Sequence, residues 1–481
     1  MTEAEVIDVR GQLLHRLGEE LISTSAYARA MYRRDASILK AEPLAVAIPR
    51  DRDELVRVLH ACRDLQLPVV PRGAGTGIAA GAVPGGGDGP PVVIGLQHLD
   101  GIDIDPTTRT AWVGPGTVNL DLDRAAARHG LRFAPDPSSQ MASTIGGNIA
   151  TNAGGAHCLA HGVTSQHVLQ LELMDVDGQV HRFGSEAAEA TGYDLRGLSV
   201  GSEGTFGFIV AAQVRLLQAP PVIQTVLVSF PTVPEAAAAV TAILADGCLP
   251  AALELMDHGA VALTEAYAKA GWDTEAAAVL LMEFEGGRYG VAQQVEVALT
   301  AARRHGGHNE QLATDDEHRA RLWKGRKAVA GAIARVVPDY YLHDVVVPRS
   351  KLAASLSAVL EIAAAQELEV INVFHAGDGN LHPLLLIDRS QPRVEERLLE
   401  AGRGIIQMAL DAGGSLTGEH GVGLEKRDFL CEVFSADELE IQWRVRRAME
   451  PTGRANPGKV LPVPHSCGDI APSLLPEGTW L

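Results

Sequence analysis

The sequence predicts an α+β protein of two domains, and three observations predict it. A strand, helix, strand run near the N-terminus ends in a glycine-rich loop; short strands broken by Gly, Pro, Asn and Ser follow; and beyond Pro220-Pro221 alanine-rich helices alternate with isolated strands. With 481 residues, 46% of them hydrophobic, the chain exceeds what one ordinary core accommodates. The 60 acidic against 41 basic side chains leave a formal charge of -19, a surface that repels phosphate backbones and excludes nucleic acid as a partner.

The elements follow in order. Met1 to Glu20 has helical spacing with charges throughout, without the apolar core of a signal peptide, and nowhere do 18 apolar residues run together. No transmembrane segment is therefore expected, and the location expected is cytoplasmic, or peripheral to a membrane through a partner. Pro43 to Pro49 is an apolar run, Asp51 to Leu65 a helix with Leu55, Val58, Leu59 and Cys62 on one face, and Pro68 to Pro71 a buried strand. Ala111 to Val113, Leu169 to Met174 and Phe208 to Val210 read as strands, and Gly85 to Pro91 as a flexible surface loop. Pro234 to Ala245, Val291 to His305 and Lys351 to Gln366 read as helices. The five cysteines form no Cys-x-x-Cys pair, which argues against iron-sulfur or zinc-cysteine sites and against a disulfide framework.

Three glycine-rich segments occur in the first half. They are Pro71-Arg72-Gly73-Ala74-Gly75-Thr76-Gly77; Ser143-Thr144-Ile145-Gly146-Gly147-Asn148, continuing to Asn152-Ala153-Gly154-Gly155; and Gly201-Ser202-Glu203-Gly204-Thr205-Phe206-Gly207. Pro135-Asp136-Pro137-Ser138-Ser139 lies between the first two. Any one segment could be a turn between strands. Together they offer more backbone N–H groups and hydroxyls than turns need, as a pyrophosphate cradle requires. A Walker-type phosphate loop and the acidic spacing of a nicotinamide fingerprint are both missing.

In the second half, apolar runs flank Gly377-Asp378-Gly379-Asn380 and suggest a hairpin with His375 and His382 at its rims. Gly418-Glu419-His420-Gly421 adds a carboxylate and another imidazole. Two imidazoles and a carboxylate, His375, His382 and Glu419, suit a divalent metal such as zinc with an open position, and His420 is a candidate general base. The alternative for His375 and His382 is that they satisfy buried backbone groups.

These segments, with Asn456-Pro457-Gly458-Lys459, resemble the flavoproteins with a vanillyl-alcohol-oxidase-type FAD domain, and most closely the glycolate oxidase FAD subunit, D-lactate dehydrogenase and D-2-hydroxyglutarate dehydrogenase family. The resemblance runs from Pro49 to Pro462. It implies an FAD-binding domain of two α+β subdomains over 1–219 and an antiparallel-sheet-and-helix FAD-linked oxidase cap domain over 220–412. A helical segment over 413–465 would return to the FAD domain, and 466–481 would be a tail. It further implies noncovalent FAD held by the glycine segments and Pro135 to Ser139, with Ile209 and Asn456 beside them. His375, His382 and Glu419 fall on metal-ligand positions, His420 on the catalytic base, and Arg326 on the arginine that binds the substrate carboxylate.

The function implied is oxidation of a small 2-hydroxy acid, glycolate or D-lactate by preference, to the 2-oxo acid. Electrons would leave to an external acceptor, whether an iron-sulfur subunit, an electron-transfer protein or a quinone; a homo-oligomer is left open. The alternatives are a D-2-hydroxyglutarate dehydrogenase, an oxygen-using flavin oxidase and a non-catalytic flavin subunit. Two departures stand out. Ala79-Ala80 replaces the family's serine and glycine, and Ala330 and Leu342 fall where relatives have threonine and lysine, which favours a monocarboxylate.

Overall fold

The computed structural model describes residues 2–186, 191–337, 339–388 and 390–462, so the expected tail 466–481 lies outside the described residues. The chain forms two compact units, one of Met1–Gly154, Val163–Ala219 and Glu419–Leu481, the other of Gly155–Gly162 and Pro220–Gly418.

In the first unit, Thr2 begins helix Glu3–Leu17 with a capping box, and Asp51 caps helix Arg52–Asp64. Leu55, Val58, Leu59 and Cys62 on the second helix are all buried, and each large aliphatic contributes about 1.5–3 kcal/mol. Both helices contribute to the core of a four-stranded sheet ordered Ile22–Ser23, Ala45–Ala47, Val92–Gly95, Val69–Arg72. Ala45–Ala47 and Val69–Arg72 each run parallel to Val92–Gly95, which lies between them. The parallel unit read from the sequence thus closes around a third strand from further along the chain.

A five-stranded antiparallel sheet follows, ordered Ile102–Asp105, Thr110–Val113, Phe208–Arg215, Val168–Met174, Val180–Gly184. Its core takes in residues of helices Asn119–Ala127 and Ile145–Thr151, with Val445 and Met449 of helix Ala436–Met449 packed against it.

The C-terminal part is stitched to the first sheet. Val69 N–H donates to the Arg454 carbonyl and Asn456 N–H to the Val69 carbonyl. Lys459 is buried and its Nζ donates to the carbonyls of Val83 and Gly85. The Gly85 to Pro91 loop, expected to be a free surface loop, is therefore anchored at its start. Glu203, also buried, accepts from the N–H groups of Val422 at 2.7 Å and Gly423 at 2.8 Å.

The second unit is built on an antiparallel sheet. His308–Leu312, Val222–Phe230, Ala278–Gly286, Ala252–Asp257 and Val370–His375 lie side by side, and the sheet continues through Asn380–Leu381 to Val345–Val346. Pro383–Ile387 also pairs with Val370–His375 and carries Asp339–Leu342 at its other edge. The expected helices appear as Val233–Ala245, Arg288–Arg304 and Leu352–Ala365. Trp272, Leu322, Trp323, Ala260 and Val261 join strand residues in its core.

Residues 155–162 are held to this sheet by contacts between histidines and carboxylates. His157 Nε2 lies 3.1 Å from Glu283 Oε1, and His161 Nε2 lies 3.0 Å from Glu285 Oε2. Glu283 is fully buried and also accepts from Thr225, from Trp323 Nε1 and from two nitrogens of Arg319. Burial alone would raise its pKa, but His157 and Arg319 hold it well below the usual carboxylate range.

Two cysteines, Cys62 and Cys248, are buried free thiols whose pKa values burial pushes up to about 12 and about 11, which makes them inert. Cys431 is disulfide-bonded, against the expectation from cysteine spacing. Among the described residues no helix is long and apolar enough to cross a membrane.

Burial pushes Glu203 up to about 7, from 4.5 for an ordinary glutamate. Between those values the folded protein holds a proton that the unfolded chain has released, so wild-type stability falls as pH rises through that window. Gln does not titrate. The stability difference between E203Q and the wild type is therefore expected to move in favour of E203Q from about pH 4 to about pH 8 in urea unfolding. A difference that stays flat across that range would show that Glu203 titrates normally.

Candidate active site

The glycine segments of the first unit converge. Strand Val69–Arg72 brings Pro71 and Arg72 to the start of the loop through Gly73, Ala74, Gly75, Thr76 and Gly77. A Cβ on Gly73 would lie 2.4 Å from Thr144 Oγ1, too close without a shift, and one on Gly204 would lie 3.0 Å from Pro71 Cγ at a residue whose φ of +73° itself favours glycine. Thr144 caps helix Ile145–Thr151, which carries Gly146, Gly147 and Asn148. Gly201 and Glu203 donate their N–H groups to the carbonyls of Ile149 and Ala150 on that helix. Asn152 ends the helix in the left-handed conformation and accepts from Ser165 N–H.

Pro135 to Ser143 is ordered around Asn119. The Pro135 carbonyl accepts from Asn119 Nδ2, the Ser143 carbonyl from Asn119 N–H, and the Ser139 carbonyl from Ser143 N–H. Pro137 is buried, Asp136 half-buried and Ser138 exposed on this stretch. Ser202 accepts from Thr205, and Ile209 is buried on strand Phe208–Arg215. Gly154 ends a stretch of the first unit, whereas Gly155 belongs to the second.

Within this cluster Arg72 Nη1, Asn119 Oδ1, Ser143 Oγ and Asn148 Nδ2 are buried without a protein partner. An unpartnered buried polar atom costs about 1–3 kcal/mol, so four around one set of loops fit a polar group that the protein receives there. Arg72 is held in place by stacking over the Tyr32 ring, 5.2 Å from its centroid. Glu203 spends its carboxylate on Val422 and Gly423, and Asn456 gives Nδ2 to the carbonyls of Gly81 and Glu203 while its Oδ1 is buried without a protein partner. The departure at Ala80 has a visible cost, since Ala80 takes φ +61° where a glycine would be unstrained.

In the second unit the hairpin forms as expected. His375 pairs with Asn380 and Asn372 with Pro383, which sets His375 and His382 at opposite rims. Their rings lie 5.1 Å apart at 84°, both buried, with a ring nitrogen of each within 4.8 Å of the other. Asp344, buried and not anticipated from sequence, lies 3.4 Å from His382 Nε2 through one oxygen. Its other oxygen accepts from Thr417 Oγ1 and Gly418 N–H, which fixes the chain just ahead of Glu419-His420. Two close imidazoles beside a carboxylate are a donor set that fits a divalent metal. Glu419 and His420 fall in the first unit, with His420 Nε2 3.5 Å from Glu419 Oε1.

Arg326 lies on helix Asp316–Lys327 and is 9% exposed, so it is not on a solvated face. Its neighbour Gly325 explains why: a Cβ there would strike Trp272 at 2.3 Å, and without one the helix settles onto that ring. Arg326 Nε donates at 2.7 Å to Glu254 Oε2, and Glu254 Oε1 lies 2.7 Å from His375 Nδ1. Burial would raise the Glu254 pKa, but His375 and Arg326 hold it below the ordinary range. Sequence reasoning missed Glu254; its signal was an acidic residue at the centre of the apolar run Ala252 to Met256. Leu342 is half-buried and packs against the core, and Ala330 stands on helix Val329–Ile333.

The chain is similar to known proteins over most of its length. Residues 43–184 match the family described as FAD binding domain, and 219–460 the family described as FAD linked oxidases, C-terminal domain. The chain is 39% identical over 459 residues to the glycolate oxidase subunit GlcD of Escherichia coli (strain K12), covering 95% of this chain and 90% of that one. It is 33% identical over 423 residues to the D-lactate dehydrogenase of Archaeoglobus fulgidus, covering 88% and 92%. The solved structure of p-cresol methylhydroxylase with substrate bound shares the fold at TM-score 0.80 and 14% identity, covering 96% of this chain and 98% of that one. The expected α+β class, a vanillyl-alcohol-oxidase-type FAD-binding domain with an antiparallel FAD-linked oxidase domain, is therefore the one found. On both family matches and these identities, the chain belongs to the FAD-linked 2-hydroxy-acid oxidoreductases, the family of the glycolate oxidase subunit and the D-lactate dehydrogenases.

Proposed function

We propose that this enzyme oxidises glycolate or D-lactate at Arg326, His420 and a divalent-metal site of His375, His382 and Glu419, with FAD bound noncovalently. The observation that carries the reading is the double contact of Glu254, which ties a buried guanidinium and a metal-type imidazole to one carboxylate. A 2-hydroxy acid has its carboxylate and hydroxyl on adjacent carbons and needs two such receptors side by side.

When bound, FAD accepts the hydride from C2 and the metal acidifies the 2-hydroxyl. Arg326 holds the substrate carboxylate through its terminal nitrogens, because its Nε is given to Glu254. His420 takes the hydroxyl proton on its ring. The buried unpartnered groups Arg72 Nη1, Ser143 Oγ and Asn148 Nδ2 bind the polar parts of FAD. Leu342, apolar where relatives carry a lysine, gives no cation for a second carboxylate and favours a short monocarboxylate.

Electrons leave to an external acceptor, since no iron-sulfur cysteine set occurs in the sequence. The E. coli relative is named as a subunit, which suits a partner protein as that acceptor. A cytoplasmic enzyme, or one peripheral to a membrane through that partner, accords with this reading.

Anaerobic titration of the FAD-loaded protein tests it. Glycolate or D-lactate is expected to bleach the oxidised flavin band, and L-lactate and D-2-hydroxyglutarate to leave it; a band that none of the four bleaches with divalent metal present sinks the proposal. Replacing Arg326 by Ala removes a charge-assisted contact of about 1.5–3 kcal/mol, so kcat/KM should fall about 10- to 100-fold. Kinetics equal to wild type with every acid would remove Arg326 from the site.

A further inference from the structure

Glu254 lies at 0% exposure on strand Ala252–Asp257, directly opposite His375 in the antiparallel register. Residues opposite each other in such a pair project on the same face, so the sheet itself delivers the carboxylate to the imidazole. The two oxygens serve different partners: Oε1 meets His375 Nδ1 and Oε2 meets Arg326 Nε, each at 2.7 Å.

We propose that Glu254 is a positioning residue shared by the metal and substrate sites: it fixes His375 in the tautomer that presents Nε2 to the metal, and holds Arg326 by Nε so that its terminal nitrogens serve the substrate carboxylate. This rests on the metal and carboxylate roles proposed above for His375 and Arg326.

The chemistry follows from what each group can do. An ionised carboxylate only accepts, so the imidazole nitrogen facing it carries the proton. A neutral ring protonated at Nδ1 has its lone pair on Nε2, which is the atom that a metal needs, and a carboxylate behind the ring increases its basicity. Arg326 offers a planar fork of donors, and its Nε edge is given to Glu254. Because one anion serves both groups, the two sites are coupled. Metal on His375 draws the Nδ1 proton closer to Glu254, which weakens the hold of Glu254 on Arg326 and strengthens Arg326 toward a substrate anion.

The isosteric variant Glu254→Gln separates the two roles. Arg326 Nε can only donate, so it takes the amide oxygen, and the amide NH2 then faces His375 Nδ1. That nitrogen then becomes the acceptor and the ring proton prefers Nε2, so metal coordination there must first displace that preference and is weakened. Zn²⁺ affinity is measured by competition with a chromophoric chelator on FAD-loaded wild type, E254Q and H375A, with flavin content and melting temperature recorded alongside. E254Q is expected to bind Zn²⁺ roughly 10- to 100-fold more weakly while keeping its flavin. Affinity within about threefold of wild type in E254Q, with binding lost in H375A, overturns the proposal. Unchanged affinity in both variants overturns the metal reading itself, and the proposal with it. Should E254Q fail to fold, long-range ¹⁵N spectra of metal-free wild type decide the tautomer: His375 protonated at Nδ1 supports the proposal, and protonation at Nε2 overturns it.

Discussion

A carboxylate without solvent contact is stable only where donors replace the water it has lost, and Glu254 meets that condition through His375 and Arg326. The arrangement constrains much of the second unit. The strand Ala252–Asp257 must keep its register with Val370–His375, and helix Asp316–Lys327 must lie close enough for Arg326 to reach in, which Gly325 permits. A slip of one residue in the strand would turn Glu254 to the opposite face and leave both partners facing apolar groups. The folding of this sheet and the assembly of its polar centre are thus the same event.

The first unit solves a different problem. Its loops are made of backbone rather than charged side chains, and they are held by one another: the segment from Gly201 to Glu203 hangs from helix Ile145–Thr151, and Glu203 in turn holds Val422 and Gly423. The charged groups in this network are structural. Lys459 and Glu203 are both buried and both bind main-chain atoms, which explains why conspicuous polar residues here need not touch a ligand.

Local chemistry made much of this legible in the sequence. Helix Arg52–Asp64 was announced by its apolar stripe, and the hairpin by Gly377 to Asn380 between two apolar runs. His375 and His382 stood out because histidines at the rims of such a turn are conspicuous. Glu254 and Asp344 did not, since their roles come from register and tertiary approach, which one-dimensional spacing does not encode. The place of Val92–Gly95 between two earlier strands, and the clamp on Gly85 by Lys459, escaped for the same reason.

The stretch 155–162 carries a lesson about what can be separated. It belongs to the second unit although its chain neighbours on both sides belong to the first. Its histidines complete the shell of Glu283 and Glu285, and its Leu159 lies against Gly377 in the turn of the histidine hairpin, where a Cβ would come within 2.4 Å of it. Gene fragments cut at the obvious composition boundary near residue 220 would strand these residues on the wrong polypeptide. Inheritance of the second unit as a freestanding module would require new partners for two glutamates, so recombination between relatives at that boundary should succeed only when both sides carry matching versions of the short insert.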